Sequence, residues 1–464
     1  MRRADSGHHL SDVGLVLITA TLVVAIWQGV MVAALALVAG LLLRQRPLVL
    51  LLCATAAVVG SWIGAQAWEQ AAPRHLGDYT GWAEIVADPA AFGAGLRVTV
   101  EIDDERFDAW IYGGARRKLA DRQSGQFVWV DGRRTELGTN ARRALVRHVV
   151  GRFQADVVGD VIDGSPLARA NNRVRDRLRS VAESTMAADD ATLFTGLVIG
   201  DDARQPVWLI DNFRASGLSH LTAVSGQNVA FVLAAALPLL RRLRPWWRWA
   251  ATVALIVWFM ALTRFEPSVL RAGVMAVLAA TAYVRGQQVR PARVLSLAVF
   301  ALVIVDPLLV WSVGFWLSVG ATLGVCTVGP WLALRLPGPV WLRLAMAVTL
   351  GAQLGVALPS VLVFGRLPIV SLPANLAAVP AAGFVMLYGL PVGLLASVLP
   401  SALQPIVMLP ATIGTRWVST VAQVAAAVEP SPRWAALWWS VAVASLLGWW
   451  WRGRSRADAA NVPT

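Results

Sequence analysis

Apolar residues run long and unbroken in two blocks of the chain and alternate with polar ones in a stretch between them. Val13–Trp27, Val30–Leu43 and Leu48–Trp68 are nearly free of charge, with a polar break at Gln28–Gly29. Read as one helix, 13–43 would be about 46 Å long at 1.5 Å per residue. That exceeds a hydrocarbon core of roughly 30 Å, so the pattern predicts a helical hairpin and then a third membrane segment. From residue 217 onward nine further apolar runs are visible, at 219–240, 246–264, 268–284, 294–310, 311–333, 341–362, 369–399, 405–427 and 434–451. Pro373, Pro380 and Pro391 predict a break within 369–399. The total expected is about 12 spans.

Between the blocks the period falls to two. Gly81–Ala87, Leu96–Ile102, Asp108–Tyr112, Gln126–Val130 and Ala144–Val158 read as strands, separated by turn clusters such as Gly113-Gly114, Asp131-Gly132 and Gly159-Asp160. Five short strands fit a small barrel of the OB type. From Arg169 to Met186 the pattern becomes helical, with Val174, Leu178 and Val181 on one stripe. The expected fold is a polytopic α-helical membrane protein with a small extracytoplasmic OB-like β-barrel inserted after the third span. Its parts are membrane segments over 1–68, the barrel and its helix over 69–186, a transmembrane unit over 187–451 and a basic cytoplasmic tail over 452–464.

Charge supports this division. Only 15% of the 464 residues are charged and 57% are hydrophobic, against about 25% charged in globular chains. Residues 69–190 hold 18 basic and 19 acidic groups, whereas 217–451 hold 14 Arg and only Glu266, Asp306 and Glu429. Arg2 and Arg3 before the hairpin, Arg44 and Arg46 after it, and the arginine-bearing loops of the second block place those ends in the cytoplasm of a cell membrane and the island outside. A signal peptide is the rival reading, disfavoured because no small-residue cleavage site follows the first apolar run. Within the island, 110–179 carries 15 basic and seven acidic groups. Arg116, Arg117, Lys118, Arg173, Arg175, Arg177 and Arg179 are candidate contacts for a polyanion, with Trp110, Tyr112, Phe127, Trp129 and Phe153 as stacking surfaces or barrel core. Cys53 and Cys326 lie in apolar runs, the five histidines are too scattered for a metal centre, and no phosphate-binding loop suggests an ATP motor; no cofactor and no metal site is expected.

Polar residues at membrane depth are the candidate site. Ser216–Asn228 leads straight into Val229–Leu240. On one helical wheel with His220 at 0°, Thr222 falls near 200°, Ser225 near 140°, Gln227 near 340° and Asn228 near 80°. No rotation hides such a set from lipid, so these groups line a wet path or pack in protein, with Gly226 permitting close approach. Thr263–Arg271 is the second cluster. There Arg264 and Glu266 can pair, Pro267 can start a helix, and Arg271 must face the bundle to avoid hydrocarbon. Asp201, Asp202 and Arg214 fall on short re-entrant or interfacial pieces, and Asp306 and Asn375 are polar points at junctions between spans. Ser225 and His220 diverge on a helix, and no GxSxG elbow is present, which disfavours a nucleophilic hydrolase.

The run "HLTAVSGQNVAFV" (220–232), with "GLVIGDD" (196–202), "FRASGLSH" (213–220), "TRFEPSVLRAGVMA" (263–276), "VDPLLVWSVGFWLSVGATLG" (305–324), "AQLGVALP" (352–359) and "PANLAAVPAAG" (373–383), resembles the ComEC-type competence family, the inner-membrane DNA-uptake channels of natural transformation. The resemblance covers about 190–400 in the family's order. It implies a channel conducting single-stranded DNA. The partners it implies are membrane lipid, a surface DNA receptor and a cytoplasmic helicase, and a second copy of the chain stays among the candidates. It also implies that His220, Ser225, Gly226, Asn228, Arg264, Glu266 and Arg271 shape the channel. The chain departs from many relatives in having Gln227-Asn228 within "SGQNV" where they have "SGLHV". It also shows no His beyond 220, whereas full-length relatives carry a metallo-β-lactamase-like nuclease domain, so a separate nuclease is expected. Three other readings compete: a transporter of an anionic lipid-linked or small polar substrate, a membrane hydrolase using His220 or Glu266, and a scaffold for competence partners.

Overall fold

The computed structural model describes residues 11–42, 45–93, 95–138, 141–222, 225–288, 290–365, 368–430 and 434. Most of the expected last span (434–451), the tail 452–464, and Arg2, Arg3 and Arg44 lie outside them.

The chain begins with α1 (Asp12–Gln28), α2 (Val30–Leu42) and α3 (Pro47–Glu69). Gly29, at φ 82°, makes the predicted break between α1 and α2. Gly60 and Gly64 of α3 bring its backbone against Leu22 and Ile26 of α1, where a Cβ would collide with main-chain carbonyls.

The island forms β1 (Gly77–Ile85), β2 (Ala90–Phe92), β3 (Gly95–Ile102), β4 (Glu105–Ile111), α4 (Gly113–Leu119), β5 (Phe127–Glu136), α5 (Ala141–Leu145) and β6 (Val149–Ile162). The strand order is β1-β5-β6-β4-β3-β2, and β1 also pairs with β3. The ladder therefore returns on itself through five strands, with β2 added beside β3. All pairings are antiparallel except β4–β6. Three expectations are corrected. There are six strands rather than five. Asp131-Gly132 and Gly159-Asp160 lie inside β5 and β6 rather than between strands. Ala144 belongs to α5. Gly132 is needed because β6 passes so close that a side chain would strike the Gln154 carbonyl, and the β5–β6 register shifts there. Alternate residues such as Val98, Phe107, Val128 and Phe153 fill the interior of the ring. Each such side chain contributes roughly 1.5–3 kcal/mol on burial.

α6 (Pro166–Thr185) connects the sheet to the helical block. Ser165 caps it by accepting from the Ala168 N–H. The stripe Leu178, Val181 and Ala182 enters the core of the block beside Phe194 and Leu197. That block continues through α7 (Ala188–Ile199), α8 (Val207–Ala215), α9 (Ser219–Thr222), α10 (Gly226–Leu240), α11 (Pro245–Leu262), α12 (Pro267–Val284), α13 (Pro291–Val305), a 3₁₀ turn (Pro307–Trp311), α14 (Val313–Ala333), α15 (Val340–Phe364), α16 (Ser371–Ala396) and α17 (Gln404–Val428). Among the described residues six helices are long and apolar enough to cross a membrane: α3, α11, α12, α14, α15 and α16. α1, α10 and α13 are apolar but shorter. α17 has the length, but Thr412, Thr415, Arg416, Ser419, Thr420 and Gln423 make it more polar. The protein is a membrane protein turned outward in the usual way, with Leu358 70% and Leu362 75% exposed on α15. α16 runs unbroken, contrary to the proline pattern. Pro373 falls in its first turn, where the N–H has no helical partner anyway, and Pro380 and Pro391 are absorbed within a tightly packed helix.

α14 and α15 form the closest helix pair. Gly320 and Gly324 face Gly355 and Gly351, and a Cβ at Gly320, Gly324 or Gly355 would overlap the opposing carbonyl. This is small-xxx-small packing. Gly324→Leu should therefore cost about 1–3 kcal/mol or more, seen as a lower unfolding midpoint in detergent. Gly314→Ala, which meets only Ser312 Oγ at 3.9 Å, should stay within about 0.5 kcal/mol.

Candidate functional site

The polar stretch is not one rod. α9 ends at Thr222 and α10 starts at Gly226, with Ser225 at the N-cap position. His220 and Thr222 thus belong to one short helix and Gln227 and Asn228 to the next, so angles on a single wheel do not describe them. The break lets Gly226 lie against α12, where a Cβ would strike Ala272. Even so, His220, Thr222, Ser225, Gly226 and Gln227 border one cavity of about 2380 Å³. His220 is surrounded by protein yet open to this space. Asn228 is not part of the lining. It is 2% exposed, accepts from Ser225 Oγ at 3.1 Å and donates to the Leu197 carbonyl at 2.8 Å. It latches α10 to the end of α7. Ser225 Oγ is thereby committed to Asn228 and not to His220.

The cavity begins beside the sheet, at Glu101, Arg106 and Arg147, and runs into the helical block. It follows α14 from Gly314 to Val325 and α15 from Phe364 back to Val348. At 1.5 Å per residue the α15 stretch is about 24 Å deep. The lining of α14 is its Ser318–Thr322 face, while Gly320 and Gly324 on another face hold α15. Room for tens of waters thus reaches membrane depth from the sheet side, and the turns nearest the 334–339 loop do not border it. Arg271 projects into this wall. It is 5% exposed and donates to Thr322 Oγ1 at 2.9 Å and to Ser318 Oγ. Asn375 also lines the cavity and donates to the Ser371 carbonyl at 2.7 Å. Gln353 reaches the Ser371 hydroxyl at 2.6 Å. At the mouth, His148 Nε2 and Asp306 Oδ2 lie 3.0 Å apart and join sheet to bundle. Arg214 borders the same space and pairs with Asp211 at 2.9 Å.

A buried charge cluster sits at the sheet–bundle junction. Arg175 of α6 is 1% exposed. Its Nη1 donates to the carbonyls of Ile199 and Leu262, each at 3.1 Å, and its Nη2 to Asp88 at 2.7 Å. Ile199 and Leu262 are the last residues of α7 and α11, so one guanidinium satisfies two helix C-termini. Arg179 binds Asp201 at 2.6 Å, and Arg264 reaches Asp88 at 3.0 Å and Asn172 at 2.8 Å. Arg264 therefore pairs with Asp88 and not with Glu266. Two successive left-handed residues, Arg264 at φ 59° and Phe265 at φ 53°, turn it that way. Burial disfavours the Asp88 charge, but Arg175 and Arg264 outweigh it and hold the carboxyl below its ordinary value of 3.8. Asp202 is pushed up by burial and by Asp201. Glu266, between α11 and α12, is pushed up by burial and by Asp202.

This cluster takes Arg175 and Arg179 out of the set available to a polyanion. Arg173, Arg177, Arg116 and Arg117 are exposed, while Lys118 donates to the Val158 carbonyl at 2.9 Å. Of the aromatics, Phe153 is core at 2% exposed. Trp110 carries Arg152 over its ring at 5.3 Å, Trp129 meets Trp82 edge-on at 5.5 Å, and Tyr112 is 59% exposed. Sequence reasoning missed Asp88, Asn172, Gln353 and the Ser318/Thr322 pair. Hydroxyls four residues apart in an apolar helix were the available signal for the last.

A wet cavity entering a bundle of apolar helices from a β-sheet unit defines a membrane protein with a polar interior path. The competence protein family matches residues 197–454, more than half of the chain; the chain belongs to that family. It is also similar to ComE operon protein 3 of Bacillus subtilis (strain 168), 28% identical over 228 residues. The match covers 48% of this chain but only 28% of that relative. No solved structure matches the chain.

Arg175→Met leaves Asp88 and Asp201 facing each other without their shared cation, and should cost about 3–5 kcal/mol in thermal unfolding; exposed Arg173→Ala should change it by less than about 0.5 kcal/mol. Because the Asp88 pKa is lowered on folding, its contribution is complete above 3.8 and fades only as pH falls through the lower folded value. The difference in protease sensitivity of the sheet–bundle junction between wild type and Asp88→Asn should therefore stay constant from pH 7 to about 4 and shrink only below that range.

Proposed function

We propose that the protein is the conduit for single-stranded DNA across the cytoplasmic membrane during natural transformation, without enzymatic chemistry of its own. The observation that carries this reading is the deep cavity with Arg271 in its wall, opening beside the sheet. A single strand needs a hydrated route with positive charge to compensate its phosphates. Membership in the competence family and the likeness to ComE operon protein 3 support a role in DNA uptake.

On this reading the sheet unit lies outside the cell. Its closed five-strand ring with one parallel pair supports an OB-type assignment. The strand is delivered by a surface DNA receptor, drawn by a cytoplasmic helicase, and its complement is degraded by a separate nuclease. Channel lining falls to His220, Thr222, Ser225, Gly226, Gln227, Glu266 and Arg271, with Asn228 and Arg264 in supporting positions. The exposed Arg116, Arg117, Arg173 and Arg177 are the outer contacts.

Filling the cavity tests the reading. In a transformable host, deletion should abolish uptake of labelled DNA. Ala321→Trp, at a cavity-lining position of α14, should lower uptake at least about tenfold at equal protein level, which corresponds to about 1.4 kcal/mol in the limiting step. Unchanged uptake in both strains would defeat the conduit and favour transport of a small anion.

A further inference from the structure

Arg271 presents an electrostatic problem that the protein's own groups do not solve. Its acceptors are two neutral hydroxyls and, at 3.5 Å, the Met275 sulfur. Its Nε is buried without an acceptor. Among the described residues no carboxylate forms an ion pair with it; Glu266 borders the same cavity and pairs with neither Arg271 nor Arg264. A buried guanidinium with only neutral partners is costly unless an anion or water compensates it.

A second positive centre faces it. α10 is 15 residues long and begins at Gly226, where a Cβ would lie 3.4 Å from Arg271 Nη2. The helix N-terminus carries about half a positive charge and free N–H groups. Ser225, at its N-cap, does not accept from these groups; its hydroxyl donates to Asn228 Oδ1. A helix N-terminus and an uncompensated guanidinium repel one another across this contact. Both border the same cavity, so one oxyanion placed there would satisfy both. Ser318 Oγ accepts from Arg271 and keeps its own proton for the same ligand.

We propose that Arg271, Ser318 and the first turn of α10 at Gly226–Gln227 form a binding site for a phosphodiester oxyanion inside the cavity. Its assignment to a passing DNA backbone rests on the conduit reading; the site itself does not. Recognition is of phosphate and not of base, so it is independent of sequence.

The test uses the full chain purified in detergent and a fluorescent abasic deoxyribose-phosphate oligomer of about 12 units, within the usual footprint of single-strand sites. The wild type should bind it. Arg271→Gln should weaken binding at least about tenfold and reduce the salt slope by about 0.7, with Arg271→Lys in between. Without ligand, Arg271→Gln should unfold no lower than the wild type, because it removes a charge that lacks a counter-ion; a purely structural arginine would give a lower midpoint. Displacement of the oligomer by glycerophosphoglycerol as well as by unlabelled abasic oligomer supports the site and assigns it to a lipid headgroup. Displacement by the oligomer alone supports it and assigns it to a nucleic acid strand. Binding that is the same in wild type and Arg271→Gln overturns the site, even if uptake is lost in that strain, and leaves the conduit standing. Weakened binding in Arg271→Gln, together with DNA uptake that survives deletion of the gene, overturns the conduit and leaves the site.

Discussion

The Arg175 guanidinium is the contact on which the arrangement of the two parts depends. Two helices, α7 and α11, end side by side with carbonyls pointing at one spot. Such a spot is strongly negative and, out of water, would be costly to leave bare. Arg175 fills it from α6, the helix that leaves the sheet, and binds the sheet's Asp88 with its other edge. Sheet, linker and bundle are thus joined through one planar group whose fork suits several acceptors at once, which a lysine would not match. Arg264 closes the cluster from the α11–α12 turn. The sheet is consequently held against the bundle at a fixed place, and the cavity opens between Glu101, Arg106 and Arg147 of the sheet unit and the helices.

Inside the bundle the opposite problem arises. Ser318, Thr322, Gln353, Ser371 and Asn375 are polar groups at a depth where lipid offers no partner. They satisfy one another in part and otherwise face the cavity. α14 and α15 show how the division is made: glycines four residues apart press the two helices together, and the neighbouring faces carry the polar lining. Close packing on one face leaves room on the next. Because the lining ends at Val325 and Val348, a route through to the 334–339 loop requires the last turns of this pair to part.

The sequence disclosed elements wherever a period was strong. The hairpin break at Gly29, the start of α12 at Pro267 and the stripe Leu178/Val181 of α6 follow directly from local pattern. It also singled out residues that border the cavity, His220, Gln227 and Arg271 among them, since ionisable and amide groups in apolar surroundings must go inward. It did not disclose their roles. Gln227 and Asn228 are adjacent, yet one faces the cavity and the other ties α10 to Leu197; that choice depends on α7, about thirty residues away. Arg264 and Glu266 are close in sequence and opposite in charge, but two left-handed residues send Arg264 to Asp88, 176 positions distant. Prolines in α16 misled for a related reason: the cost of a lost hydrogen bond is local, while the packing that offsets it is tertiary.

The same distinction governs the arginine-rich segment. Its local excess of positive charge suggested a set of contacts for a polyanion. Folding spends part of that excess internally: Arg175 and Arg179 on Asp88 and Asp201, Arg152 over Trp110, and Arg142 over Trp68 of α3. Arg173 and Arg177 share α6 with Arg175 and Arg179, yet they emerge from the other side of the helix and remain in water. A surface arginine of this kind acts on a charged partner only over about a Debye length, some 8–10 Å in physiological salt. Inside the cavity screening is weaker and a single uncompensated charge counts for more. The arginines therefore fall into three groups: Arg173 and Arg177 stay at the surface, Arg175, Arg179 and Arg264 join sheet to bundle, and Arg271 alone among the named cations meets the interior cavity without a carboxylate.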